Sequence, residues 1–130
     1  SVVGVELNRS AAACAVDNAK ANNIRNARFR CGDAAAFLDG MAARGDKLDV
    51  VFLDPPRAGS TPVFLDALCR VSPARAVYIS CNPETQRRGL EYLAERGWKV
   101  ESIQGVDMFP HTEHIETVAA LTRPSLKKRN

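Results

Sequence analysis

Cys81 sits in the run Tyr78-Ile79-Ser80-Cys81-Asn82-Pro83, where an apolar stretch from Ala76 to Ile79 ends and Pro83 stops further strand pairing. At the carboxyl end of a strand in an open α/β sheet, where ligands and reacting groups collect, a thiol is placed to act as a nucleophile. Acidic residues end other strand-like runs: Glu6 after Val2-Val3-Gly4-Val5, Asp33 in Gly32-Asp33-Ala34, and Asp54 in Asp54-Pro55-Pro56-Arg57. A further carboxylate, in His114-Ile115-Glu116, begins the last such run. Taken singly, Glu6 and Asp33 read equally well as polar loop residues or helix caps. The Asp54 loop is more specific, because two prolines fix φ and remove backbone donors, which makes a rigid loop at the end of a buried strand.

The elements that must position these residues alternate. Val2 to Leu7 reads as a strand and Arg9 to Ala21 as an alanine-rich helix capped by Asn8 or Ser10. Ala27 to Cys31 is a short strand, and Ala34 to Ala43 a helix closed by Gly45. Leu48 to Leu53 is a continuous apolar run, the pattern of a strand buried on both faces. Pro62 to Val71 is a helix, Ala76 to Ser80 a strand, and Glu84 to Arg96 a helix ended by Gly97. Trp98 to Met108 and Ile115 to Thr122 follow without a helix between them and read as adjacent antiparallel strands. The order is βα four times, then ββ. It predicts an α/β fold, a mostly parallel sheet with helices on both faces. If the last strand is antiparallel, its start lies at the same sheet edge as the other carboxyl ends, and all five features face one crevice.

At 130 residues the chain is a single domain, and its 45% hydrophobic and 25% charged residues are those of an ordinary globular protein. No apolar run approaches the length of a membrane span, so a cytoplasmic location is the expectation. No two of the four cysteines form a C-x-x-C pair, which argues against structural zinc or a disulfide framework. Cys14, Cys31 and Cys69 read as small buried hydrophobes. The net charge of +3 permits a polyanionic partner without demanding one, and the basic tail Arg123, Lys127, Lys128, Arg129 carries little weight. His111, His114 and Glu116 fit no metal-ligand spacing.

In doubly wound nucleotide-binding folds, the acidic residue ending the second strand binds ribose hydroxyls about 20 residues after a Gly-rich turn. Glu6 suits that position, and its Gly-rich partner would precede Ser1. The chain is therefore expected to be a fragment lacking the first βα unit of its sheet.

Asp54-Pro55-Pro56-Arg57, Ser80-Cys81-Asn82-Pro83, Val106-Asp107-Met108-Phe109-Pro110-His111-Thr112 and His114-Ile115-Glu116, in that order, resemble the RNA (uracil-C5)-methyltransferases. The resemblance covers essentially the whole chain, and Gly4-Val5-Glu6 and Gly32-Asp33 fall where that family contacts its cofactor. It implies a Rossmann-like class I methyltransferase fold, S-adenosylmethionine as cofactor and tRNA or ribosomal RNA as partner. It implies Cys81 as the nucleophile and Glu116 as the base that removes the C5 proton. Glu6 would hold the cofactor ribose, Asp33 would lie near its adenine, and Asp54 would line the site between cofactor and base. The family's RNA-binding domain, which in some members carries an iron–sulfur cluster, has no counterpart in these residues.

Uracil C5 is too weak a nucleophile to attack a sulfonium methyl unaided, and thiolate addition at C6 makes C5 enolate-like. A carboxylate must then remove the C5 hydrogen so that elimination frees the thiol. Cysteine suits the first step because its ordinary pKa of about 8.5 leaves some thiolate near neutrality. The target uridine must leave its stack, which is cheap in an RNA loop. Arg57 reads either as an RNA-phosphate contact or as the partner of an internal carboxylate. Phe109 reads as a stacking platform or a core contact.

Two other readings compete. An adenosylmethionine-dependent enzyme acting on an exocyclic nitrogen also uses an acidic or Asn-Pro-Pro loop but needs no thiol. Alternatively, these residues alone bind cofactor weakly and are inactive in isolation, because a missing central strand leaves backbone groups unpaired. In a dinucleotide-dependent oxidoreductase, a remote third possibility, the two loops would have no role.

Overall fold

The computed structural model describes residues 1–123, so Lys127, Lys128 and Arg129 of the basic tail lie outside the described residues. The order is β1 (Val2–Glu6), α1 (Arg9–Ala21), β2 (Ala27–Cys31), α2 (Ala34–Arg44), β3 (Val50–Leu53), α3 (Pro62–Val71), β4 (Arg75–Ser80), α4 (Pro83–Ala94), β5 (Lys99–Val106) and β6 (Glu116–Thr122). This is the expected alternation, with ends shifted by a residue or two.

The helix boundaries have local chemical causes. The Asn8 side chain accepts from the backbone N–H groups of Ser10 and Ala11, so Asn8 caps α1. Asp33 caps α2, and Gly45 ends it in the left-handed conformation at φ 72°. Thr61 and Asn82 cap α3 and α4, each followed by a proline at the first helical position, where no amide hydrogen is needed.

Hydrogen bonding joins the strands into two sheets. β1 and β2 form a parallel pair, and the other four run in the order β3-β4-β6-β5. β3 and β4 are parallel, whereas β6 is antiparallel to both β4 and β5, with a register shift between Val100 and Ser102. β6 is thus inserted between β4 and β5. Helix α1 packs against β1 and β2, whereas α2 packs chiefly against α3. α3 and α4 continue on the α2 side. Their packing buries Leu53, Leu65, Leu68, Tyr78, Leu93, Trp98 and Leu121 in the main core.

Two expectations about burial fail. The Leu48 to Leu53 run is not buried on both faces: the strand begins at Val50, and Val50 and Phe52 are 39% and 71% exposed. Among the described residues, α2, α3 and α4 cover only the face that carries Leu53. Cys14 and Cys31 are likewise exposed rather than buried. Helix α1 uses Ala12 and Ala19 as its buried stripe, and Cys14 lies off that stripe.

No helix among the described residues is long and apolar enough to cross a membrane.

Candidate active site

The carboxyl edges of β3 and β4 and the start of β6 bring Asp54, Cys81 and Glu116 to one side of the sheet. β4 and β6 pair antiparallel through Ser80 and Thr117, their last rung. Cys81 follows Ser80 where β4 ends, and Glu116 precedes Thr117 as the first residue of β6. Both are half-buried, and the Cys81 thiol is free.

The turn that carries Cys81 is held from both sides. Ser80, 1% exposed, donates its hydroxyl to the Asn82 carbonyl at 3.0 Å and accepts from the Asn82 amide at 3.1 Å. The Asn82 side chain accepts from the Glu84 amide at 3.1 Å. Cys81 is therefore fixed between a buried serine and a helix cap.

The Asp54 loop is fastened to the same turn. The Arg57 carbonyl accepts from Asn82 Nδ2 at 3.4 Å and from the Thr85 hydroxyl at 3.2 Å. Gly59, at φ 86°, allows this approach, since a Cβ there would stand 2.9 Å from Thr85 Cβ. Beneath the loop, the Ser60 amide donates to the hydroxyl of the buried Tyr78 at 3.4 Å. The Asp54 carboxylate is exposed, with no protein partner among the described residues.

Arg57 resolves as neither partner of an internal carboxylate nor a free group. Its guanidinium lies 3.4 and 3.5 Å from His114 Nδ1, and because arginine only donates, that nitrogen is the acceptor. This contact spans from the Asp54 loop to the segment before Glu116. Phe109 is 50% exposed, so it is not a core residue. His111 adopts φ 68° in a turn where Thr112 donates to the Phe109 carbonyl through its amide and its hydroxyl.

Glu6 and Asp33 form a second group on the two-stranded sheet. The Gly32 amide donates to the Glu6 carbonyl at 2.9 Å, which joins the ends of β1 and β2. Glu6 Oε1 accepts from the Asn8 amide at 2.6 Å, and Asp33 Oδ1 from the Ala36 amide at 2.8 Å. Each carboxylate keeps its second oxygen. Acceptor-only groups of this kind fit a vicinal diol or an amine. No hydrogen bond among the described residues joins this group to the Cys81 group. Grooves occur elsewhere, one along α2 lined by Arg30, Phe37 and Arg44, another at the opposite sheet edge lined by Leu48 and Pro73.

Buried Gln86 and Thr117 also belong to this edge, and sequence reading passed over both. In a helix as polar as Pro83–Ala94, nothing in the order of residues separates a buried glutamine from a solvated one.

Residues 1–124 match a family model described as tRNA (uracil-5-)-methyltransferase. An uncharacterised RNA methyltransferase of Lactobacillus johnsonii is 46% identical over 123 residues, 95% of this chain and 27% of the relative. Another, of Staphylococcus epidermidis, is 47% identical over 122 residues, 94% of this chain and 26% of the relative. The chain thus spans about a quarter of the length of these curated relatives. Among solved structures, the Pyrococcus abyssi tRNA (uracil-54, C5)-methyltransferase in complex with S-adenosyl-L-homocysteine superposes with a TM-score of 0.77 at 35% identity, covering 94% of this chain and 29% of that one. NSun6 from Pyrococcus horikoshii shares the fold at a TM-score of 0.75 and 17% identity, over 93% of this chain and 41% of its own. The Asp-Pro-Pro-Arg and Ser-Cys-Asn-Pro loops, the antiparallel β6 and the family match lead to one conclusion: this chain belongs to the tRNA (uracil-5-)-methyltransferase family.

Proposed function

We propose that the protein methylates C5 of a uridine in RNA, with Cys81 as covalent nucleophile and Glu116 as general base. The observation that carries this reading is the β4–β6 register, whose last pair, Ser80 and Thr117, adjoins Cys81 and Glu116 in the chain. A thiolate and a carboxylate carried at the same edge of the sheet can address adjacent atoms of one base, C6 and C5.

S-adenosylmethionine, when bound, supplies an electrophilic methyl group. Glu6 would hold its ribose hydroxyls through the carboxylate oxygen left free by Asn8, and Asp33 would lie near its adenine. Asp54, unpaired among the described residues at the head of its rigid loop, would line the space between cofactor and uracil.

Cys81 Sγ, as thiolate, forms a bond to C6, and the electrons of the C5–C6 double bond move to C5 and O4. C5 would then bond to the methyl carbon from the side opposite the sulfonium sulfur, the S–CH3 bond breaking with its electron pair left on sulfur and the neutral thioether leaving. Glu116 removes the C5 hydrogen as a proton, the C5–C6 double bond reforms, and the C6–S bond breaks to return the thiolate. Each residue ends as it began, apart from one proton on Glu116 that leaves to solvent.

The experiment follows the hydrogen at C5. RNA carrying tritium at C5 of uridine should release it to water in step with methyl transfer. A Cys81→Ala variant that still methylates RNA and releases no tritium would support a nitrogen target and defeat this reading.

A further inference from the structure

Gln86 is 2% exposed and Thr117 is 8% exposed, and their side chains meet behind the Cys81 turn. Gln86 Nε2 donates to the Tyr78 carbonyl at 2.8 Å and to the Thr117 carbonyl at 3.3 Å. Carbonyls only accept, so the amide orientation is fixed, and Oε1 must face the Thr117 hydroxyl, which donates to it at 2.7 Å. Every hydrogen-bonding atom of this buried amide has a partner.

The connections are specific to the site. Gln86 stands one turn into α4, its own amide bonded to the carbonyl of Asn82, next to Cys81. Thr117 follows Glu116 directly. Tyr78 lies on β4, three residues before Cys81. One side chain therefore ties the helix behind the nucleophile to the strands that carry both reacting groups. The Thr117 hydroxyl also lies 3.3 Å from the Ser80 carbonyl, so it keeps an acceptor if Gln86 is lost.

We propose that Gln86 is a positioning residue which, with Thr117, sets the placement of Glu116 relative to Cys81. This rests on the roles given to those two residues above. A buried, fully bonded amide has one geometry, and a thioether of similar volume in its place would leave β6 free to shift against α4. A misplacement near 1 Å at a reacting group costs about 10²-fold in rate.

The test uses the protein as encoded by its gene, with Gln86→Met, Thr117→Val and the double variant. Two readouts run in parallel: methyl transfer to RNA, and the rate at which iodoacetamide alkylates Cys81, located by peptide mass spectrometry without RNA or cofactor. Gln86→Met should lower kcat by about 10²-fold while KM for RNA and for cofactor stays within about twofold. It should also change the Cys81 alkylation rate at least threefold while the protein remains folded by circular dichroism. The double variant should be no worse than the more impaired single one, as for two members of a single unit. Wild-type kcat together with wild-type alkylation in Gln86→Met overturns the proposal, as does a loss confined to KM. If the wild-type protein transfers no methyl group to uridine, the functional reading fails, and the alkylation readout still decides whether Gln86 positions the thiol turn.

Discussion

Ser80 and Thr117 face each other across the β4–β6 ladder as its last pair, and Cys81 and Glu116 are their immediate neighbours in the chain. Two residues far apart in the chain thereby become cross-strand neighbours. The insertion of β6 between β4 and β5, antiparallel to both, is what makes this possible. A parallel β6 would present its carboxyl end at this edge and carry Glu116 to the other side of the molecule.

Replacing Glu116 by Gln removes the base but leaves the nucleophile. Turnover should fall by about 10²–10⁴-fold. Because the thiol still adds and C5 is still methylated, a Cys81-linked RNA should accumulate as a band of reduced mobility on a denaturing gel. Cys81→Ala should give neither product nor band.

Glu6→Ala should weaken cofactor binding by removing a charge-assisted hydrogen bond, worth about 1.5–3 kcal/mol or roughly 10–100-fold in Kd. Calorimetric titration of the protein with S-adenosylhomocysteine measures it. Asp33 has two roles that substitution can separate. Asp33→Ala should cost about 1 kcal/mol of stability from the lost α2 cap, while Asp33→Asn keeps the cap. A cofactor affinity that falls in both variants identifies the contact with adenine.

Gly89 lies on α4 against Tyr78, where an added Cβ would come within 2.9 Å of the ring. Tyr78 is fully buried and tied at its hydroxyl and its carbonyl, so it cannot retreat. Gly89→Ala gains about 1 kcal/mol in helix propensity but loses about 1–3 kcal/mol to overpacking. Urea unfolding should show net destabilisation, in contrast to the gain expected at an open helical site.

Tyr92 donates to Asp66 Oδ1 at 2.7 Å, and Arg96 stacks on the Tyr92 ring. That hydrogen bond is the main reason the Asp66 carboxyl titrates below its ordinary 3.8 and the Tyr92 hydroxyl above its ordinary 10.0. The Asp66 contribution is present above pH 3.8 and is lost as pH falls through the lowered value. The Tyr92 contribution is present below pH 10.0 and is lost as pH rises through the raised value. Tyr92→Phe should therefore cost a constant amount of stability from about pH 5 to 9, with the difference from wild type shrinking at both extremes.

Much of this was legible in the sequence because it rests on local chemistry. Asn8, Asp33 and Gly45 mark helix ends through caps that involve only residues a few positions away. The run from Ala76 to Ser80 and the Asn82-Pro83 stop fixed the place of Cys81. What escaped depends on contacts distant in sequence. The exposure of Phe52 follows from which sheet face the helices cover, and an apolar run cannot report that. Gln86 is buried only because Thr117 and Tyr78 arrive from other strands to receive it. That β1 and β2 pair with each other and not with β3 is likewise invisible in the strand ends taken singly.

The most direct measurement uses RNA containing 5-fluorouridine, incubated with the gene-encoded protein and S-adenosylmethionine. Fluorine cannot leave C5 as a cation, so Glu116 has nothing to remove and the reaction should stop at the methylated adduct. A protein–RNA conjugate stable to denaturation should form, with the crosslink mapped to Cys81 and absent in Cys81→Ala. Methylation of ordinary RNA with no conjugate on the fluorinated substrate, or a conjugate at another residue, would contradict it.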